Sequence, residues 1–325
     1  MLKRDESETI HDFALRLYAN KKEYGINSDD IAKLLNAETG MNKGESAWRK
    51  KYKSFAAGMQ YANEIRDRNI SDRILCISDC HVPFQLPISL LEKYRNRTDV
   101  IVLNGDICDC QSISSFMKIY RKSPIEEIIE TRKYIIDMIE YINPKKVIIN
   151  YGNHDLRFQN YLAKNLDTDI LELMPKTSLE LMFIDGFNHY NKEEKTKTYY
   201  KPLIDVFSNI EIEYTDNWYA QYKSIVFCHP RAYSNGILKT AEKAMYWFRN
   251  EGMNFKTLVM AHTHKSGLYN IGNTTIIEQG AFCDVKENNY SDGLLHNSQK
   301  EGFVYLCLDK DGEIIRDKTE LVVLN

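Results

Sequence analysis

The stretch Ile149–Phe158, INYGNHDLRF, sets Asn153, His154 and Asp155 directly behind the apolar run Val147-Ile148-Ile149 and a glycine, Gly152. An amide, an imidazole and a carboxylate at the mouth of a buried strand cost desolvation energy unless something satisfies them. Four more apolar runs end in the same way. CISDCH carries Asp79 and His81, VLNGDICD carries Asp106 and Asp109, VFCHP carries His229, and VMAHTH carries His262 and His264. Carboxylates and imidazoles suit borderline divalent ions such as Mn²⁺, Fe or Zn²⁺, whereas a thiolate cage would point to structural zinc. In an extended chain residues i and i+2 face the same side. Asp79 and His81 can therefore converge on one point with Cys80 turned away, and His262 and His264 can do so around Thr263.

The elements that must position these groups are strands. RILCIS, DVIVLN, KKVIIN, KSIVFC, KTLVMA, TTIIEQ and FVYLCL read as near-continuous apolar strands, which implies a sheet covered on both faces. Sites in open α/β sheets form outside the carboxyl ends of the strands. Between the second and third strands, PIEEIIETRKYIIDMIEYIN is helical, with Pro124 suited to a helix start and a stripe through Ile128, Ile135, Ile139 and Ile142. DKDGE reads as a tight turn between two closing strands. Residues 160–215 are charged and irregular and form an insertion whose strands the pattern does not place.

The first 70 residues lack strand signals. SDDIAKLLN reads as a helix with Ser28 as its N-cap and Asp29 and Asp30 in the first turn. It breaks at Gly40 and resumes with Trp48, Tyr52, Phe55 and Met59 along one stripe. Two domains are expected: a helical arm, residues 1–70, and an α/β domain, residues 71–325.

Composition narrows the class. The chain has 325 residues, 43% of them apolar and 27% charged, and a net charge of −3, which excludes a globally basic coat and permits a local basic patch. No stretch approaches the roughly 18 apolar residues of a membrane helix, and MLKRDESETI has no apolar signal-peptide core. Seven cysteines with no C-x-x-C pair fit a reducing cytoplasm, that of a bacterial host if the chain is phage-encoded. His11, His189 and His296 belong to no motif.

D-x-H, G-D, G-N-H-D, H and H-T-H, in this order over residues 72–310, resemble the calcineurin-like metallophosphoesterase superfamily. The resemblance implies an α/β fold, a β-sandwich flanked by helices, holding two divalent metal ions. It implies Asp79, His81 and His264 on one ion, Asn153, His229 and His262 on the other, and Asp106 bridging them. Two divalent ions, two carboxylates and a bridging hydroxide would leave a net charge of about +1, which draws in a phosphate. The hydroxide would attack phosphorus in line. By the same resemblance His154 stabilises the transition state or protonates the leaving oxygen, and Asp155 orients its imidazole. Arg157 is a candidate phosphate clamp, and Asp109 completes a family extension or caps a loop.

The pattern departs from the protein serine/threonine phosphatases: Tyr151-Gly152 precedes Asn153, Asp155 stands where they carry Glu, and Cys110 and Gln111 follow Asp109. It is closer to the branch of cyclic-nucleotide phosphodiesterases and double-strand-break repair nucleases. The N-terminal arm looks like a helix-turn-helix unit, similar to arms on phage and prophage phosphoesterases. Arg49, Lys50 and Lys53 face outward opposite the apolar stripe and could neutralise nucleic-acid phosphates. The expected activity is a phosphodiester-cleaving nuclease acting on DNA or RNA. A small-molecule or nucleotide phosphatase or phosphodiesterase, and a DNA-binding regulator with a structural metal centre, remain open at this point.

Overall fold

Along the chain the strands run β1 Asp72–Ile77, β2 Val100–Asn104, β3 Lys146–Asn150, β4 Phe187–Asn191, β5 Thr196–Tyr200, β6 Glu211–Tyr214, β7 Tyr219–Tyr222, β8 Ile225–Cys228, β9 Thr257–Met260, β10 Ser266–Ile271, β11 Thr274–Gln279, β12 Gly302–Leu308 and β13 Glu320–Val323. They form a six-stranded sheet in the order β13-β12-β1-β2-β3-β6, a five-stranded sheet in the order β10-β11-β9-β8-β7, and the hairpin β4-β5. The structure, a computed structural model, describes residues 2–5, 8–114, 122–288 and 299–324. It divides into two compact units, Met1–Asn69 and Ile70–Asn325.

In the larger unit the two sheets stack face to face. Ile74, Cys76, Val100, Val102 and Ile148 of one meet Ile225, Phe227, Val259 and Ile277 of the other in an apolar core. The alternate residues of the same strands, Leu75, Ile77, Ile101, Leu103, Val147 and Ile149, face the opposite way into a second core. This period of two is why these strands read as unbroken apolar runs: both faces are buried.

The second core is closed by the helix between β2 and β3, Pro124–Ile142. Its start is fixed by a capping box, in which Ser123 accepts from the Glu126 N–H and the Glu126 side chain accepts from the Ser123 N–H, with Pro124 at the first turn. Ile128, Ile135, Ile139 and Ile142 are all buried against the sheet, each contributing about 1.5–3 kcal/mol. The helix Lys239–Asn250 covers the outer face of the five-stranded sheet with Ala241, Met245 and Phe248. The architecture is thus α/β with a helix-flanked β-sandwich.

Parallel pairing of β1 with β2, β2 with β3 and β8 with β9 brings the carboxyl ends of all five motif-bearing strands to one edge of the sandwich. The insertion resolves into short helices, the exposed β4-β5 hairpin and β6, which adds in parallel to the edge of the main sheet beside β3. DKDGE closes a turn through Asp309 N–H to Glu313 O at 2.9 Å, but only the single bridge Leu308–Ile314 follows it. The closing strand β13 comes six residues later.

The smaller unit packs α1 (Ile10–Ala19), α2 (Ser28–Thr39) and α3 (Glu45–Asp67) around Phe13, Leu17, Ile31, Leu35 and Trp48. The N-cap of α2 is Asn27, not Ser28. Asn27 Oδ1 accepts from the Asp29 and Asp30 N–H groups, and Asp30 answers with a bond from the Asn27 N–H, which places Ser28 one residue inside the helix. Gly40 ends α2 in the left-handed region at φ 67°. The apolar stripe of α3 fades along its length: Trp48 is buried, Tyr52 and Phe55 are half-buried, and Met59 is 43% exposed.

Candidate metal centre and catalytic site

Asp79, His81, Asp106, Asn153, His229, His262 and His264 all lie in the loops that leave β1, β2, β3, β8 and β9. Among the described residues three groups of potential ligand atoms are each mutually within 4.8 Å: Asp79, His81 and His264; Asp106, His229 and His262; and His81, Asp109 and His154. Asp79 Oδ1 approaches His264 Nε2 at 3.2 Å and both His81 Nε2 and His229 Nε2 at 3.8 Å, so it stands between the first two groups. Asp106 Oδ2 is 3.0 Å from His229 Nε2, while its Oδ1 accepts from the His154 N–H at 2.7 Å.

Convergence is not achieved by extended backbone. Asp79, His81, His262 and His264 adopt left-handed φ values of 51°, 46°, 81° and 54°, and Asp106 one of 53°. Each strand has ended before its ligands begin, and the chain coils sharply to aim them. Asp tolerates this region better than most residues, and His does too, yet five such positions in one site store strain. Two glycines make room. A Cβ on Gly105 would sit 2.6 Å from His229 Nδ1, and one on Gly152 would sit 2.6 Å from the Asp106 N.

The donor atoms fit a cation. Asn153 Oδ1 and His262 Nε2 are buried with no hydrogen-bond partner, a cost of about 1–3 kcal/mol each if nothing else satisfied them, and Asp79 Oδ1 and His229 Nε2 face only charged groups of the same cluster. His229 is pre-set as a ligand, because its Nδ1–H donates to the Asn104 carbonyl at 2.8 Å and leaves Nε2 facing the centre. Burial opposes charge on His229, but the Asp106 and Asp79 carboxylates outweigh it and hold the imidazole up at about 10. Burial also opposes ionisation of Asp79, and His229 and His264 pull it below the usual carboxylate range. Protons on imidazoles balance anions that a divalent ion would otherwise balance. Burial, and then His229, press His262 down to about 3.

His154 is placed differently from the sequence expectation. Asp155 does not orient it. Asp155 Oδ2 accepts the backbone N–H groups of Asp106 at 2.8 Å and Gly152 at 2.9 Å, tying two ligand loops together. Burial, reinforced by the Asp106 charge, pushes Asp155 up to about 7. The partner of His154 is Asp109, whose Oδ1 lies 2.8 Å from His154 Nδ1 and 3.1 Å from His81 Nδ1. Adjacency in sequence pointed to the wrong aspartate because the chain turns directly after His154 and folds Asp155 back under its own backbone.

Arg157 is not an open phosphate clamp. Its Nη1 donates to the Asp109 carbonyl at 2.8 Å and its Nη2 to His154 Nε2 at 2.9 Å, so it buttresses the His154–Asp109 pair and offsets the charge of Asp109.

Other residues were not legible as site residues in the sequence. Ser78 donates to Asp79 Oδ2 at 2.6 Å. Asn150, Asn104 and Gln279 form a buried amide chain beneath the ligands, with links of 2.9 and 3.0 Å. A cleft of about 300 Å³ opens over His81, Asp106 and His154, with Arg231 and Tyr233 also in its wall. Polar residues at the ends of core strands were the available signal for the amides; Arg231, two positions after His229, had none beyond its place in that loop.

All seven cysteines are buried free thiols. His11 stacks on Phe55 at 4.5 Å, His189 lies in the β4-β5 hairpin, and His296 lies outside the described residues. Arg49, Lys50 and Lys53 are exposed on α3, with Arg49 paired to Glu45 at 3.2 Å. Among the described residues no helix is long and apolar enough to cross a membrane.

Residues 72–266 match the model of the calcineurin-like phosphoesterases, and the chain belongs to that family of metal-dependent phosphoesterase hydrolases. Residues 1–66 match the YonJ N-terminal domain. Over 67 residues the chain is 39% identical to the SPbeta prophage-derived uncharacterized protein YonJ of Bacillus subtilis (strain 168); the match spans 21% of this chain and 16% of that protein. Similar solved structures include vacuolar protein sorting 29 of Cryptosporidium parvum, at 12% identity over 79% of this chain and 100% of that one with a TM-score of 0.38. A novel archaeal phosphodiesterase matches at 12% identity over 78% and 99%, with a TM-score of 0.36.

Proposed function

We propose that the protein is a phosphodiester-cleaving nuclease whose N-terminal helical unit holds DNA or RNA. The observation that carries the hydrolytic part is the buried cluster at one edge of the sandwich, in which Asn153 Oδ1 and His262 Nε2 have no hydrogen-bond partner and Asp79, Asp106, His229 and His264 face only one another's charges. Asp79, His81 and His264 would hold one divalent ion, and Asn153, His229 and His262 the other, with Asp106 between them. The oxygen and nitrogen donor set favours Mn²⁺, with Fe or Zn²⁺ as alternatives. Two such ions supply Lewis acidity to a phosphoryl group and lower the pKa of water toward about 7.

The chain's own residues do the rest. Asp109 holds the His154 Nδ1–H, which fixes the ring with Nε2 turned to the cleft. His154 Nε2 accepts from Arg157 at 2.9 Å, so the pair presents positive charge toward the cleft and stabilises the charge that develops on the phosphoryl group, while water protonates the leaving oxygen. Arg231 in the cleft wall offers charge to a non-bridging phosphate oxygen.

The exposed cations Arg49, Lys50 and Lys53 on α3 support nucleic-acid binding. The seven buried free thiols suit a reducing compartment such as a bacterial cytoplasm.

The test is a panel assay with Mn²⁺ on bis-p-nitrophenyl phosphate, p-nitrophenyl phosphate, cyclic nucleotides, and single- and double-stranded DNA and RNA. Nucleic acid should be cleaved fastest, and His154→Ala should keep its metal and lose most of that rate. Changing Arg49, Lys50 and Lys53 together to Glu should weaken nucleic-acid binding and spare bis-p-nitrophenyl phosphate. Preference for a monoester or a cyclic nucleotide would overturn the nuclease assignment.

A further inference from the structure

Beside the metal centre lies a second cavity, of about 350 Å³, with walls formed by Trp218, Trp247, Pro230, Arg231 and Lys243. It adjoins the catalytic cleft, since Arg231 lines both. Trp218 is also tied to the metal loop, because its carbonyl accepts the backbone N–H of His229 at 2.8 Å.

The aromatic wall is held in place. The Trp218 ring stacks on buried Phe248 at 5.1 Å and 28°, and meets Trp247 at 5.1 Å and 56°. Trp247 is 41% exposed, an unusual position for a large apolar ring on an amphipathic helix. Arg231 and Lys243 are exposed and have no ion pair among the described residues, and no carboxylate lines the cavity.

Aromatic faces take up a flat π-system, the rest of the wall is apolar, with Arg231 and Lys243 contributing their aliphatic stems, and the volume lies within the small-ligand range of about 300–1,000 Å³. We infer that this cavity receives the nucleobase adjoining the phosphodiester group that the metal centre binds. The inference rests on the phosphodiesterase reading above and narrows its substrate to one that carries a base. Base–aromatic stacking is indifferent to sequence, because every base presents a π-face. An alkyl group would bury against the same wall without a π-face to stack on the two rings.

The experiment compares kcat/KM of the full chain with Mn²⁺ on three diesters: thymidine 5′-p-nitrophenyl phosphate, methyl p-nitrophenyl phosphate and hexyl p-nitrophenyl phosphate. In Trp247→Ala the thymidine-to-methyl ratio should fall about tenfold or more, and Trp247→Phe should recover most of it. An unchanged ratio overturns the inference, and an equal fall in the hexyl-to-methyl ratio overturns it in favour of an alkyl group. A loss shared by cleavage of oligothymidylate assigns the base to a strand, and a loss confined to the thymidine diester assigns it to a nucleotide; either supports the pocket.

If the parent protein hydrolyses none of the diesters, the phosphodiesterase reading fails. Calorimetric binding of thymidine 5′-monophosphate then decides the pocket alone: a tenfold weaker Kd in Trp247→Ala supports it, and an equal Kd refutes it.

Discussion

Asp109→Asn removes a charge and keeps the outline of the side chain, so it tests the bridge between His81 and His154 without opening a cavity. One oxygen makes both contacts, at 2.8 Å to His154 Nδ1 and 3.1 Å to His81 Nδ1. A hydrogen bond to a charged group contributes ~1.5–3 kcal/mol and one between neutral groups ~0.5–1.5. The exchange therefore forfeits roughly 1–1.5 kcal/mol per contact, or about 2–3 kcal/mol over the pair. If both contacts act in the transition state, kcat falls roughly 30- to 150-fold. The assay is steady-state hydrolysis of bis-p-nitrophenyl phosphate with Mn²⁺, with bound metal measured on the same samples. Asp155→Asn is the control with the opposite profile. Its Oδ2 accepts two buried backbone N–H groups, and a neutral amide oxygen in its place weakens each bond by roughly 1–1.5 kcal/mol, which lowers stability by about 2–3 kcal/mol in urea unfolding. Wild-type kcat in Asp109→Asn with both ions bound would refute the bridge. An Asp155→Asn protein as stable as its parent would refute the clamp.

Asp106→Ala should bind fewer than two equivalents of metal per chain by elemental analysis, and retention of both would remove Asp106 from between the ions. Gly152→Ala should lose metal and activity together, since the added Cβ lies 2.6 Å from the Asp106 N; a fully active variant would show that the two loops can separate freely. Metal affinity should rise with pH. The Asp106 and Asp79 carboxylates overcome burial and hold His229 protonated up to about 10, so below that value an ion must displace a proton to bind. Calorimetry in buffers of different ionisation heat should report proton release, and an affinity flat between about pH 6 and 9 would contradict this.

The clustering of the candidate metal ligands was legible because their types are rare at the ends of apolar strands, and because β1, β2, β3, β8 and β9 reveal themselves by being buried on both faces. The route to convergence was not. A rule for extended chains brings Asp79 to His81 and His262 to His264, yet all four sit in left-handed backbone beyond their strands. The pairing of His154 was hidden for a related reason. Its partner, Asp109, is 45 residues away in sequence and is delivered by parallel registry of β2 with β3, whereas adjacent Asp155 turns to the backbone. β6 and the β4-β5 hairpin escaped because edge and exposed strands bury one face or none, and so lose the apolar signal. Trp218 and Arg231 belong to the same class of omission, for neither lies in a recurring motif and only the fold sets them over one cavity. Ligand chemistry is thus written locally, residue by residue, because an ion accepts few donor types. What orients the His154 imidazole, and what surrounds the cleft beyond the ligand cluster, depends on loops meeting across two sheets. Members of one family that share every ligand can for that reason diverge in what they cleave, and the difference has to be sought at positions such as Trp218, Arg231 and Trp247.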